Sequence, residues 1–213
     1  PEPVIEHDTD PNNGALNQLV CEGDAITPIK FNLLEGAQNA TITGLAPGLT
    51  YSILGSVLTV SGSPSNVTSN SIFNFSIELI NTTTGCVGTP ITGQITVNAD
   101  SELTLSTGNN IQSVCEGASM APIQYTLGGD ATDVLLESPS GADLSWITKS
   151  VSGGIVTLTG SPTANISNIT DYDFTLTTVG NGCQEVILSG IITVTPEPVI
   201  EHDTDPNNGA LNQ

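Results

Sequence analysis

Four cysteines carry the first chemistry this sequence offers. Cys21, Cys86, Cys115 and Cys183 fall as one early and one late thiol in each half of the chain. Thiols spaced in this way pair as disulfides, and the economical arrangement joins Cys21 to Cys86 and Cys115 to Cys183. Each bridge then closes a loop of about 65 residues and stabilises its half by roughly 4 kcal/mol in the loop-entropy account. A thiolate metal site is the other reading, but there is no C-x-x-C pair and no histidine near any of the four in sequence. Disulfides imply an oxidising compartment, so the expected location is extracellular, on a cell surface.

A second constellation is built from oxygen. Asp8, Asp10 and Asn12 alternate along one short run closed by Gly14, and the run returns as Asp203, Asp205 and Asn207. Calcium takes six to eight oxygens, and such a run supplies several from one loop, so Ca2+ at this linker is one reading. The glycine stands one position later than in an EF-hand loop and no distal Glu follows, so the other reading is a solvated turn shaped by Pro11 and Gly14. The corresponding stretch Ser106–Asn110 has no acid, which would confine any calcium to every second junction.

Nucleophilic and acid–base chemistry finds little to work with. His7 is the one histidine in the first 195 residues, and a catalytic triad would have to assemble around a linker residue; a surface histidine is expected. There is no strand–glycine loop–helix phosphate cradle and no H-E-x-x-H. Asp130, Asp133, Glu137, Asp171 and Asp173 cluster in the second half and include possible carboxylate pairs for glycoside chemistry, but they are expected to keep exposed strands soluble. Trp146 has no counterpart in the first half: if exposed it can stack on a sugar ring, and if buried it plugs a core. The chain is expected not to be an enzyme.

The elements that position these residues come in repeats. Residues 196–213 are identical to residues 1–18, so the sequence returns to its beginning after 195 residues. Within that period QLVCEGDAITPIKFNL (18–33) matches QSVCEGASMAPIQYTL (112–127), and GCVGTPITGQITV (85–97) matches GCQEVILSGIITV (182–194). The boundaries that follow are module A at 1–98, module B at 99–195, and the start of a further module A at 196–213. In each module short alternating segments are separated by Gly, Pro, Asn and Ser, and none keeps a helical period for three turns. Six or seven strands are expected per module: 29–33, 40–43, 50–54, 57–61, 73–80 and 93–97 in the first, and 123–127, 133–137, 144–149, 155–159, 172–178 and 190–195 in the second. The fold class is all-β, two immunoglobulin-like β-sandwich modules in an elongated tandem.

Composition sets the partners. Lys30 and Lys149 are the only basic residues against 22 acids, and a net charge of -20 repels phosphate backbones and anionic headgroups, which excludes nucleic acid and membrane surfaces. No apolar run approaches the roughly 18 residues of a membrane-crossing helix. An apolar content of 37% is too high for a disordered acidic tail. A chain that opens at Pro1 without methionine is expected to be cut from a longer one.

The passage GLAPGLTYSILGSVLTVSGSP (44–64), followed by FNFSIEL (73–79), resembles the immunoglobulin-like, cadherin-like repeats with a G-L-P-x-G-L turn, a short hairpin, a hydrophobic-S-G-x-P step and an alternating aromatic strand. The V-C-E-G near each module's start and the G-C before a final G-x-I-T-V strand are similar to repeats in giant cell-surface adhesins of Bacteroidetes, including those of gliding bacteria. Module B departs from the pattern, with SPSGADLSWITKSVSGG (138–154) where the turn should be. The resemblance implies a structural stalk or filament that extends a binding end from the cell. The expected partners are neighbouring modules of the same chain. Alternatives are a carbohydrate-binding array contacting surface glycans, and a self-assembling fibre in which residues 1–18 add a strand to an identical chain.

Overall fold

In the computed structural model, residues 2–37, 39–80, 85–163 and 165–198 are described, and among them the regular elements are sixteen β-strands. Alternation builds them. In Ile29–Leu34, Ile29, Phe31 and Leu33 point inward while Lys30 faces solvent, and each buried side chain of this size contributes about 1.5–3 kcal/mol.

The first eight strands form one sandwich. Strands β1 (Val4–His7), β3 (Ile29–Leu34), β6 (Val57–Gly62) and β5 (Leu49–Leu54) make one sheet in that order. The facing sheet orders β2 (Asn17–Cys21), β8 (Ile91–Asn98), β7 (Ser71–Ile80) and β4 (Asn39–Thr43). All its pairings are antiparallel except β2 with β8, which run parallel with Cys21 opposite Asn98. Phe31, Leu58 and Val60 from one sheet meet Phe75, Ile77, Leu79, Ile95 and Val97 from the other in a closed core.

The second sandwich repeats this plan. One sheet orders β9 (Glu102–Thr107), β11 (Ile123–Gly128), β14 (Ile155–Gly160) and β13 (Ile147–Ser152). The other orders β10 (Ile111–Cys115), β16 (Ile187–Thr195), β15 (Thr170–Val179) and β12 (Asp133–Glu137), again with β10 parallel to the last strand. Its core gathers Ile123, Tyr125, Val156, Leu158, Phe174, Leu176, Ile192 and Val194.

Each sandwich therefore has eight strands rather than the expected six or seven. The additional ones are β1, β2, β9 and β10, all edge strands whose outward positions carry apolar residues such as Leu19 and Ile111, which blurs the period-two signal. Strand β13 starts at Ile147 rather than Leu144, because the Ile147 amide donates to the Leu144 carbonyl at 2.8 Å and closes a turn there. In module A the Leu49 amide donates to the Ala46 carbonyl at 3.1 Å, so the divergent segment of module B keeps the same turn with different residues.

Candidate functional site: the junction between the modules

Cys21, Cys183 and Asp130 converge where β8 ends and β9 begins. The step Ala99, Asp100 and Ser101 is three residues long, with Ala99 and Ser101 buried. The Asn70 carboxamide oxygen accepts from the Ala99 amide at 3.0 Å, and the Gln184 carbonyl accepts from the Ser101 amide at 3.0 Å. Asp130, itself buried, accepts the Ser101 hydroxyl at 2.5 Å and the Asn181 amide at 2.6 Å. One carboxylate thus ties the linker to the β15–β16 loop, meeting the demand that a buried charge be hydrogen-bonded.

Across this step Cys21 and Cys183 are joined by a disulfide, 162 residues apart in sequence. The V-C-E-G turn presents Cys21. Gly23 takes φ +82°, which favours glycine, and donates its amide to the Pro64 carbonyl at 2.8 Å, while Glu22 donates to Asn98 at 2.8 Å. The hydrophobic-S-G-x-P step and the V-C-E-G turn, distant in sequence, are therefore two halves of one contact. Cys183 is buried in the β15–β16 loop. Glu22, Asp24 and Asp100 line a cleft of about 330 Å³ beside the bond, a local negative field that opposes the approach of anionic thiolates.

This bond corrects the expected pairing of Cys21 with Cys86 and of Cys115 with Cys183. The reason is strand direction. Parallel pairing sets Cys21 beside the last residue of β8, whereas Cys86 lies in the loop before β8 begins. The eight residues of β8 span about 25 Å, far beyond the roughly 7 Å limit between bridged α-carbons. Cys115, opposite Thr195 at the end of β16, is likewise a strand's length from Cys183. Early and late cysteines of one module sit at opposite ends of its sandwich, so they meet only across a junction.

The other residues singled out in the sequence are dispersed. In the 8–12 run one Asp8 carboxylate oxygen accepts from the Asp10 amide at 3.1 Å, and one Asp10 oxygen accepts from the Asn12 amide at 2.8 Å, which are self-capping Asx turns. The bonds from Asn12 hold the Asp10 carboxyl below its ordinary 3.8, the Asn12 backbone amide being the main cause. Asp203, Asp205 and Asn207 lie outside the described residues. Among the described residues no three His, Cys, Asp or Glu side chains gather as a metal cage.

His7 packs edge-on against Phe31, and its Nε2 lies 2.8 Å from the Gly14 carbonyl. Asn13, which sequence reasoning passed over, is the clamp of this loop: its amide nitrogen donates to the Asp8 and Lys30 carbonyls, and its oxygen accepts from the Lys30 amide at 2.6 Å. Only its place in an N-N-G turn hinted at this.

Asp133, Asp171 and Asp173 of module B have separate partners and do not form a carboxylate pair. Asp133 pairs with the Lys149 ammonium at 2.7 Å, Asp171 accepts the Thr193 hydroxyl at 2.6 Å, and Asp173 accepts the hydroxyls of Ser138 and Ser140. Trp146 is half-buried, edge-on to Tyr172 with ring centroids 5.4 Å apart, and packs against the module B core.

Two eight-stranded sandwiches, joined by a three-residue step and a disulfide, define a tandem of immunoglobulin-like modules. Solved chains of that class are similar to it. The I-band fragment I67–I69 from titin superposes with a TM-score of 0.53 at 12% identity, over 91% of this chain and 65% of the fragment. The E-to-A variant of the same three-immunoglobulin fragment gives 0.54 at 11% identity, with the same coverage of both chains. The extracellular domain of protocadherin GammaB4 gives 0.48 at 12% identity, over 92% of this chain and 33% of that one. The chain thus spans about 65% of the length of the titin fragments it matches. A likeness at this identity shows the fold alone. No protein-family model matches the chain, and no curated protein sequence matches it.

Proposed function

We propose that the chain is a stalk segment of a secreted, repetitive cell-surface adhesin, non-catalytic, whose modules extend a binding end from the cell for surface attachment or gliding. The observation that carries this reading is the junction. A three-residue step with Ala99 and Ser101 buried, crossed by a disulfide, removes the freedom a flexible linker would give, and holding one module against the next is what a stalk requires. Repetition supports it, since recurring modules add length without adding chemistry. The charge of -20 supports it too, because like-charged stalks repel one another.

The alternatives draw less support. A sugar platform needs an open aromatic face, and Trp146 packs on Tyr172 with its Nε1 buried. A strand-addition fibre needs a vacant edge for residues 1–18, and Val4–His7 already pair with Phe31–Leu34 of their own module.

Small-angle scattering on chains of two, four and six modules tests the proposal. The maximum dimension should grow almost linearly with module number, and growth closer to the square root would sink the stalk.

A further inference from the structure

The Cys21–Cys183 bond implies a rule for the residues it leaves outside. Cys115 is the module B counterpart of Cys21, and its surroundings are the same. The Glu116 amide donates to Thr195 at 2.9 Å as Glu22 does to Asn98 at 2.8 Å. Gly117, at φ +74°, donates to Pro162 at 2.7 Å as Gly23 does to Pro64 at 2.8 Å. Cys115 is thus displayed beside the exit of module B as Cys21 is displayed beside the exit of module A. The difference lies in what covers them. Cys21 is half-covered and bonded, whereas Cys115 is exposed and holds a free thiol.

The other half of the contact is also repeated. Cys183 sits in a loop that grips the entry of its own module, through the Gln184 carbonyl on the Ser101 amide. Cys86 sits in the equivalent loop of module A, and that loop also grips its module's entry: a Cβ on Gly88 would collide with the carbonyl of Pro3, which is buried. After Thr195 the chain runs Pro196, Glu197, Pro198, three residues that match the register of Ala99, Asp100 and Ser101 and are identical to Pro1, Glu2 and Pro3.

We propose that Cys115 is the half-cystine of the next junction, paired with the counterpart of Cys86 in a further A module that opens at residues 196–213. Every junction in the array is then locked by a bond between the early cysteine of one module and the late cysteine of the next. The stalk becomes a chain of covalent staples. This inference rests on the stalk reading in one respect, that another A module follows.

The chemistry balances as a two-electron oxidation. Both S–H bonds are lost and one S–S bond forms; two protons and two electrons pass to a disulfide-bearing thiol oxidant, protein or small molecule, which leaves as its dithiol. The Cys115 thiolate attacks the oxidant's disulfide, and the second cysteine resolves the mixed disulfide.

The test is this chain continued past Gln213 by a copy of its own residues 19–98, oxidised with a glutathione redox buffer and mapped as non-reduced peptides. Cys115 should be linked to Cys86 of the appended copy, with Cys21–Cys183 present as the internal control. Alkylation of Cys115 in the native protein should fall at least tenfold relative to the shorter chain. In a Cys115→Ser variant the control bond should persist while Cys86 of the appended copy becomes alkylatable. A Cys115 that stays alkylatable, or is found bonded to Cys183 or to Cys115 of a second molecule, overturns the staple. Scattering on the same protein separates the two ideas: linear growth with a free Cys115 leaves the stalk standing and removes the staple, and compact growth with Cys115 bonded does the reverse.

Discussion

Paired aromatic and glycine residues set the tightest packing in each sandwich. Phe75 lies directly across from Gly93, and Phe174 from Gly190, with each aromatic ring filling the space where a glycine side chain would stand. A Cβ at either glycine would collide with the ring and lie 2.5 Å from a backbone carbonyl, Leu16 in one module and Asn110 in the other. Gly190→Ala should therefore cost about 1–3 kcal/mol as overpacking, read as a lowered urea midpoint. Tyr125 offers the opposite case. It occupies the place of Phe31, is fully buried, and among the described residues its hydroxyl has no hydrogen-bond partner. Burial pushes its phenol up to about 12. Tyr125→Phe removes a desolvated group and should stabilise module B by about 1 kcal/mol, and a lowered midpoint would mean the hydroxyl is satisfied in solution.

Individual turns depend on carboxylates. Asp173 on β15 anchors the Ser138–Ser140 segment by accepting from both hydroxyls and from the Ser140 amide at 3.0 Å, so its carboxyl is held below the ordinary 3.8, chiefly by the Ser140 hydroxyl. Asp143 and Asp133 are lowered in the same direction, by the Ser145 amide and by the Lys149 ammonium respectively. In module A, Asp10 is lowered by the Asn12 amide. A carboxyl whose folded value is depressed contributes stability that is complete above 3.8 and drains away as the pH falls below it. With three such acids, module B should be the more acid-sensitive. Trp146 is the only tryptophan, so its fluorescence follows module B selectively. The thermal midpoint it reports should drop between about pH 5 and pH 2, and Asp173→Asn should flatten that drop; a flat wild-type profile would refute the assignment.

At the scale of the whole molecule the disulfide acts on the joint between two cores that are each complete. Cys183→Ser should leave both sandwiches folded, since among the described residues neither core cluster draws from the other module. It should instead loosen the angle between them and broaden the distance distribution in small-angle scattering. By the loop-entropy account the bond contributes about 2–5 kcal/mol against full unfolding of the chain. Scattering unchanged by the substitution would show that the short linker and the Asp130 bonds hold the joint without it.

Much of this architecture was legible in the residues. Alternation and turn residues determined an all-β chain, because burial on one face of a sheet imposes period two, and the matched segments determined that one plan occurs twice. The central strands were visible for that reason. Edge strands β1, β2, β9 and β10 were not, since one side of each is solvated and their side chains are less constrained. The cysteines marked a site whose partners could not be read from spacing. Counting one early and one late thiol per module favours a bridge within it, but distance in space depends on strand direction, and the parallel pairing of the second strand with the last is a tertiary fact. That pairing carries Cys21 to the exit of its module, a strand's length from Cys86 and within reach of Cys183. Asp130 and Asn13 became significant for the same reason: their partners are assembled only when distant loops meet. Local pattern determined the modules, and only their contact in three dimensions decided how one is fastened to the next.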